Sequence, residues 1–361
     1  MSAFPNASFW RGRRVLVSGH TGFKGGWMTL WLDRLGATVA GYALRPDTDP
    51  NLFTLCRLDE IAGHNVGDVR DPDHLRSVMD RFRPDIVFHM AAQPLVRESY
   101  ADPVGTYATN VMGTVNLLEA VRHTPGVAAA IVVTSDKCYA EAPERLPYGE
   151  DDPMGGRDPY SSSKGAAELV TAAYANSFLI AGGCAVATVR AGNVLGGGDW
   201  AADRLAADIM RGLLAGETPV LRNPGAVRPW QHVLDPLRGY LLAAEHLARA
   251  RPPAPAAWNF GPDAASEVTV AEVAGRLCRL WGGDARVRAA PQTGAPHEAP
   301  VLRLRSEKAR RELDWAPALD LEAALSRTVA WFRAYQRGED MRAVTRQQID
   351  THEDPAMEAA Q

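Results

Sequence analysis

Seven residues near the start, Gly19-His20-Thr21-Gly22-Phe23-Lys24-Gly25, constrain the fold more than any other feature of the chain. They follow a strand-like run, Arg14-Val15-Leu16-Val17-Ser18, and open a helical stretch from about Lys24 to Leu35 that stops at Gly36. A strand, a glycine turn and a helix in that order aim the free N–H groups and partial positive charge of a helix N-terminus at one point, where a pyrophosphate can approach. The spacing is GxxGxxG, a variant of the dinucleotide fingerprint. Glycine turns between strand and helix also arise for packing alone, but this one opens a doubly wound pattern.

Thr38–Tyr42, Asp85–Met90, Ala130–Thr134 and Ala185–Arg190 read as further strands. Helical segments lie between them, at Asp73–Arg81, Thr106–Arg122 and Ser162–Ser177. Continuously apolar strands alternating with helices predict an α/β fold, a doubly wound parallel sheet of Rossmann type covered on both faces. Beyond Leu195 the character changes. Gly196-Gly197-Gly198 and a proline-rich run at Arg251–Ala257 punctuate shorter helices at Ala202–Leu214 and Leu234–Ala250. We expect a Rossmann domain over residues 10–195 and a smaller mixed α/β domain over 196–335, with one strand near Trp258-Asn259-Phe260 crossing back to the sheet. The tail, residues 336–361, is charged with few apolar anchors and is expected to be ordered only by packing on a neighbour.

Lysine plus arginine total 39 against 43 acids, a formal charge of −4, so no global basic field points to nucleic acid or an anionic membrane. No stretch reaches the roughly 18 apolar residues that span a bilayer, and Met1–Trp10 lacks a signal-peptide pattern. Cys56, Cys138, Cys184 and Cys278 are far apart and form no CxxC pair. That argues against a disulfide framework or metal site and for a reducing cytoplasm.

Tyr160-Ser161-Ser162-Ser163-Lys164 sets a tyrosine and a lysine one helical turn apart on the same face. A tyrosine ionises near pH 10 and is no base at neutral pH unaided, whereas a neighbouring ammonium lowers its pKa. YxxxK pairs occur by chance in many helices. After a glycine-loop Rossmann start the pairing becomes specific.

These features together resemble the extended short-chain dehydrogenase/reductase family, in its NAD-dependent epimerase/dehydratase group. Thr134-Ser135-Asp136-Lys137-Cys138-Tyr139 resembles the segment peculiar to the CDP-glucose 4,6-dehydratases of that group. So do Gly22–Gly25, His89–Arg97, Arg190–Val194, Gly196–Trp200 and Arg228–His232, and the resemblance runs from about Trp10 to Trp331. It implies a reaction in which the sugar 4-hydroxyl is oxidised by NAD, water is eliminated across carbons 5 and 6, and the hydride returns to carbon 6. Tyr160, tuned by Lys164, would be the base on the 4-hydroxyl, with Thr134 bonded to the same oxygen. Asp136 would be the general acid for the departing hydroxyl. Lys137 stands where related dTDP-glucose enzymes carry a glutamate base. A lysine serves as a base only if its pKa is lowered from about 10.4, or it stabilises the enolate while another group takes the proton.

The resemblance also assigns cofactor contacts to Gly19, Gly22, Phe23, Lys24, Gly25, Asp68, Ala91, Ala92, Gln93, Asn110, Tyr160 and Lys164. It gives substrate contacts to Arg97, Asn193, Asp199, Trp200, Arg204, Arg228 and His297, with Arg204 and Arg228 as bidentate phosphate ligands. No metal is implied. An acid expected after the second strand is missing: Arg45 stands there with Asp47 two residues on, and an arginine favours the extra phosphate of NADP. The resemblance argues for NAD. At Leu302–Lys308 the family's usual aspartate is replaced by Arg305, leaving Ser306 to cap the next helix. Rival readings are a nucleotide-sugar epimerase, which needs no acid at Asp136, a GDP-mannose dehydratase, and a non-catalytic NAD-binding regulatory protein. Helices Thr106–Arg122 and Ser162–Ser177 are the pair through which family members form a four-helix interface, so a homodimer or homotetramer is expected.

Overall fold

The sheet expected from the alternation is present in a computed structural model of the chain, which describes residues 3–290, 299 and 301–354. Its strands are β1 (Arg14–Ser18), β2 (Thr38–Ala43), β3 (Ala62–Val66), β4 (Ile86–His89), β5 (Ala129–Val133) and β6 (Ala185–Ala191). β7 (Asn193–Leu195), β8 (Val220–Leu221) and β9 (Val227–His232) follow outside it, and β10 (Ala256–Phe260) returns to its edge beside β6. Across the sheet the order is β3-β2-β1-β4-β5-β6-β10, every neighbour parallel. β11 (Glu267–Thr269) joins β9 and β7 in a three-stranded sheet, and β12 (Arg288–Ala289) pairs with β8.

The helices of the first half are α1 (Ala7–Trp10), α2 (Phe23–Arg34), α3 (Leu52–Leu55), α4 (Pro72–Phe82), α5 (Val96–Ala101), α6 (Pro103–Tyr107), α7 (Gly113–Arg122) and α8 (Pro159–Tyr174). Then come α9 (Leu205–Leu214), α10 (Leu234–Ala250), α11 (Val270–Trp281), α12 (Glu307–Leu313), α13 (Leu321–Gln336) and α14 (Met341–Glu353). Several bounds depart from expectation for identifiable reasons. The stretch expected as one helix over Thr106–Arg122 is broken by a π-helical turn, Ala108–Met112. α8 starts three residues early because Pro159 suits a first turn and the Asp158 side chain accepts from Ser161 N at 2.9 Å. α9 starts three residues late because Asp203 adopts φ +63° and Arg204 is extended. β3 escaped notice because it is a half-exposed edge strand with no apolar alternation to betray it.

Successive strand residues explain why both faces are covered. Val15, Val17, Ile86, Phe88 and Ile131 join one core with α2, α10 and α13, while Leu16, Val87, Ala130 and Val132 join another with α4 and α7. The first core is dense in tryptophan: Trp10, Trp27, Trp31, Trp258, Trp315 and Trp331 are all essentially inaccessible. Trp331 on α13 presses against Gly197, where a Cβ would lie 1.9 Å from the ring.

The tail corrects expectation. Residues 341–353 form α14, docked on α2 of the same chain. Met341, Ile349 and His352 are buried, Trp331 Nε1 donates to Thr345 Oγ1 at 2.9 Å, and Trp31 Nε1 donates to Glu353 at 2.5 Å. Ion pairs Arg34–Asp350, Arg34–Glu353 and Arg346–Asp33 close the seam. The charges that read as a solvated tail are one side of an intrachain interface. Ser306 corrects a second expectation: it makes no cap bond to α12, and its hydroxyl instead accepts from Gly261 N at 2.8 Å. Ile349→Ala should therefore destabilise the dilute chain by about 2–4 kcal/mol, seen as a lower midpoint in thermal unfolding; an unchanged midpoint would return the tail to a neighbour.

Candidate active site

A cleft of about 910 Å³ opens at the carboxyl ends of β1, β4, β5 and β6, where the strand order reverses between β1 and β4. That reversal is where open α/β sheets hold ligands, and the volume is near the top of the roughly 300–1,000 Å³ usual for small-molecule sites. Its walls come from both halves of the chain.

The glycine loop shapes one end. Gly19 has φ +78°, and a Cβ there would lie 2.7 Å from Ala91 N; at Gly25 it would lie 2.1 Å from the Gly19 carbonyl oxygen. At Gly22 the nearest atom would be 3.5 Å away, so this residue leaves room for a ligand. No side chain caps α2, whose first-turn N–H groups remain for a ligand. A loop this close to a helix start, with one open glycine, fits a dinucleotide pyrophosphate. Phe23, Lys24, Asp68, Ala91 and Ala92 line the cleft with it. Asp68 is held by Arg70, and Arg45 stands exposed at the rim. Gln93 and Asn110 are not on the wall. Asn110 accepts from Gln93 N at 2.8 Å and donates to Ser163 Oγ at 2.9 Å, tying the loop after β4 to α8. They act as supports behind the cofactor end.

At the centre, β5 ends in a short 3₁₀ turn, Asp136–Cys138, capped by Ser135, whose oxygen accepts from Lys137 N at 3.2 Å. Tyr160, Lys164, Thr134, Asp136 and Lys137 all reach the cleft. Ser135 also faces the cleft, and it lowers the pKa of Tyr160 against the effect of burial. Thr134 donates its proton to the buried Glu168, itself paired with Arg190 at 2.7 Å. The Thr134 proton is therefore engaged by Glu168, and Ser135, its neighbour on the cleft wall, was passed over in the sequence. Glu168 and Arg190 were missed as well; the four-residue spacing Tyr160, Lys164, Glu168 was the available signal.

Burial governs the ionisation of these groups. Tyr160 is pushed up to about 12, burial outweighing the lowering by Ser135, and the Asp136 charge adds to the rise. Lys164 is pulled down to about 8 by burial, with Nζ donating to the Val133 carbonyl at 3.2 Å. The expected depression of Tyr160 by Lys164 is thus absent from the chain by itself. Asp136 is raised above the usual carboxylate range by burial, against the pull of Lys137, Ser135, Arg228 and Lys24. Its Oδ1 accepts from Ser135 Oγ at 3.0 Å, while the buried Oδ2 has no partner. Lys24 falls to about 8 through burial and the nearby Arg204; Lys164, Asp136 and Asp199 also act on it. Its ammonium accordingly belongs to the centre of the cleft, beyond the glycine turn.

The far end is lined by Arg97, Asn193, Asp199, Trp200, Arg204 and Arg228. Asp199 holds Arg204 at 3.0 Å, Arg97 approaches Asp203 at 4.0 Å, and Arg228 donates to the Val227 carbonyl at 2.9 Å. Trp200 stands edge-on to Phe332 and Tyr335. His297 lies outside the described residues. Among the described residues no cluster of side chains suits a metal ion, and no helix is long and apolar enough to cross a membrane.

Comparison with known proteins gives this geometry a context. The model of the NAD dependent epimerase/dehydratase family matches residues 15–261. The chain is 47% identical over 350 residues to a CDP-glucose 4,6-dehydratase of Salmonella typhimurium, covering 96% of this chain and 97% of that one. A dTDP-glucose 4,6-dehydratase of Streptomyces griseus is 32% identical over 254 residues, 70% of this chain and 73% of the relative. Among solved structures, the UDP-glucose 4-epimerase of Thermus thermophilus in complex with NAD superposes with a TM-score of 0.74 at 27% identity, over 89% of this chain and 99% of its own.

The raised Asp136 carboxyl has a consequence for stability. Below the ordinary carboxylate range, about pH 4, the group is protonated whether the chain is folded or not. Above that range the unfolded chain ionises it more readily than the fold does, so stability declines as pH rises from the unfolded towards the folded pKa. Asp136→Asn should unfold at a higher temperature than the parent at about pH 7–8 and at nearly the same temperature near pH 4. A variant less stable at both pH values would refute the burial penalty.

Proposed function

The chain belongs to the NAD dependent epimerase/dehydratase family, and from that premise we propose that it converts CDP-glucose to CDP-4-keto-6-deoxyglucose and water. Its cofactor is NAD. The observation that carries the reading is the buried Asp136, a proton-retaining acid with a free oxygen in the same cleft as the tyrosine–lysine pair. Oxidising and reducing a sugar carbon requires only the pair. Expelling a hydroxyl requires an acid as well.

Bound NAD supplies the acceptor and later the donor of one hydride, together with a positive ring charge. Tyr160 takes the proton of the 4-hydroxyl, with Ser135 alongside and Lys164 beneath. Asp136 protonates the hydroxyl that leaves carbon 6. Lys137, next in the turn, serves the carbon-5 proton, as its base or as the charge facing the enolate. Arg204, steadied by Asp199, and Arg228 bind the substrate pyrophosphate, Asn193 approaches it, and Trp200 walls the nucleoside. In this division of labour residues 10–195 hold the dinucleotide and 196–335 the nucleotide sugar.

Two copies of the chain associate through α5–α8, whose outer faces expose Tyr100, Val104, Tyr107, Met112, Leu169 and Phe178. Val104 is 77% and Leu169 64% exposed, a concentration of apolar side chains that a monomer in water would not favour. The four cysteines are buried free thiols, in keeping with a reducing cytoplasm.

Purified protein incubated with a panel of nucleotide hexoses should develop the alkaline absorbance of a 4-keto sugar with CDP-glucose first. Turnover of another nucleotide sugar without CDP-glucose would overturn the specificity. Lys137→Ala should lower dehydration by about 100-fold or more while the sugar still reduces bound NAD, read at the absorbance of NADH. Undiminished dehydration would remove Lys137 from the chemistry. A Val104→Glu/Leu169→Glu double variant should elute from a sizing column at half the parent's mass; an unchanged elution volume would exclude this face.

A further inference from the structure

A single residue joins the two main sheets of the molecule. β6 ends at Ala191 in the seven-stranded sheet and β7 begins at Asn193 in the three-stranded one, leaving Gly192 between them. Val133 at the end of β5 pairs with Val189 on β6, so Asp136 and Gly192 leave the sheet side by side, each three residues further on. Asn193 in turn pairs with Trp230, which brings Pro229 of β9 opposite Gly192.

The fit is close on both sides. A Cβ on Gly192 would lie 2.6 Å from Pro229 Cγ, 3.2 Å from the Pro229 carbonyl oxygen and 3.3 Å from Asp136 Oδ2. Gly192 is not in the left-handed region, so its neighbours, and not its backbone angle, exclude a side chain. The two oxygens of the Asp136 carboxyl are unequal. Oδ1 accepts from Ser135 Oγ at 3.0 Å, whereas the buried Oδ2 has no hydrogen-bond partner. An oxygen already accepting from a neighbour is the poorer place for the acid's own proton, so that proton belongs on Oδ2, on the Gly192 side.

We propose that Gly192 is a positioning residue for the acid: its missing side chain leaves the space in which the Asp136 carboxyl holds Oδ2 and the proton destined for the departing hydroxyl. The proposal rests on the dehydratase reading above, and Gly192 acts only through Asp136. A methyl group at this point drives the carboxyl from its seat, because a packed interior answers added volume by moving side chains. Pro229 directly follows Arg228. Displacement of Pro229 instead of Asp136 would disturb substrate binding, and the two outcomes are separable.

Gly192→Ala, loaded with NAD, should keep the first half of the reaction and lose the second. CDP-6-deoxyglucose can be oxidised at carbon 4 but has no carbon-6 hydroxyl to expel; with it, NADH should form at the parent's rate and half-saturation. With CDP-glucose, dehydration should fall by about 100-fold, the scale of a lost general acid. A carboxyl pushed toward the cleft is better solvated and ionises at lower pH, so the alkaline fall in the remaining rate should begin at lower pH than in the parent. Gly192→Ala/Pro229→Ala removes the closest obstruction, the proline Cγ, and leaves the contact with Oδ2. It should dehydrate as poorly as the single variant. Recovery in the double variant would assign the defect to Pro229, and loss of NADH formation from CDP-6-deoxyglucose would assign it to a general disturbance of the site; either result overturns the proposal. If the parent does not dehydrate CDP-glucose at all, the dehydratase reading fails first, so the two failures are distinguishable.

Discussion

The site depends on a buried ion pair that touches no ligand. Glu168, on the same face of α8 as Tyr160 and Lys164, receives Arg190 Nε at 2.8 Å and Nη2 at 2.7 Å. Arg190 stands on β6, and Nη1 donates onward to Tyr139 OH at 2.7 Å, which donates to Asn259 on β10. Thr134, at the end of β5, closes the set from the other side of Glu168. One carboxylate thus fastens the catalytic helix to three strands. Buried pairs rarely add much net stability, because desolvation offsets the attraction. What this one supplies is register: removing either partner would strand a charge, so α8 cannot slide along the sheet. The spacing of Tyr160 and Lys164 from the 134–137 turn follows from that anchor.

Desolvation works in one sense on four buried groups at the centre. It pushes Asp136 and Tyr160 toward their neutral forms and pulls Lys24 and Lys164 toward theirs. A cleft held near neutrality suits the arrival of ligands that bring their own charges. Phosphates find Arg204 cationic, its pKa raised by Asp199 despite burial. An acid biased toward its protonated form beside amines biased toward their neutral forms suits elimination, since acid and base must coexist without quenching one another. The whole-chain charge of −4 reveals none of this; the relevant balance is local.

Much of the architecture was legible because period and punctuation agree. β1, β5 and β6 are continuous apolar runs, and α10 spans the stretch read from the sequence, Leu234–Ala250. The return of the chain at Trp258 was visible for the same reason. What escaped needed knowledge of partners. β3 is an edge strand with little to bury, and α14 carries its charges toward Arg34 and Asp33 on a helix more than 300 residues away in sequence. Most of the residues named from the sequence, from Gly19 to Arg228, lie on the cleft's wall, because glycine loops, YxxxK and arginine motifs are read from spacing. Gln93 and Asn110 were drawn in by the same motifs, although their hydrogen bonds serve one another and α8.

Thr134 and Ser135 show where spacing stops being informative. Both are hydroxyl residues at the end of one strand, and neighbouring side chains on an extended backbone leave on opposite sides. One hydroxyl there meets Glu168 and the other meets Asp136, so a shift of a single residue changes what the hydroxyl serves. The chemistry would tolerate either residue type. The choice is made by what lies opposite: a carboxylate already holding Arg190 claims the threonine proton, and the Asp136 carboxyl receives the serine's. Thr134 thereby secures the helix that carries Tyr160, while Ser135 steadies Asp136 and the turn that carries it. Both hydroxyls are consecutive residues at the end of one strand, so the rigidity of the fold is transmitted directly to Asp136.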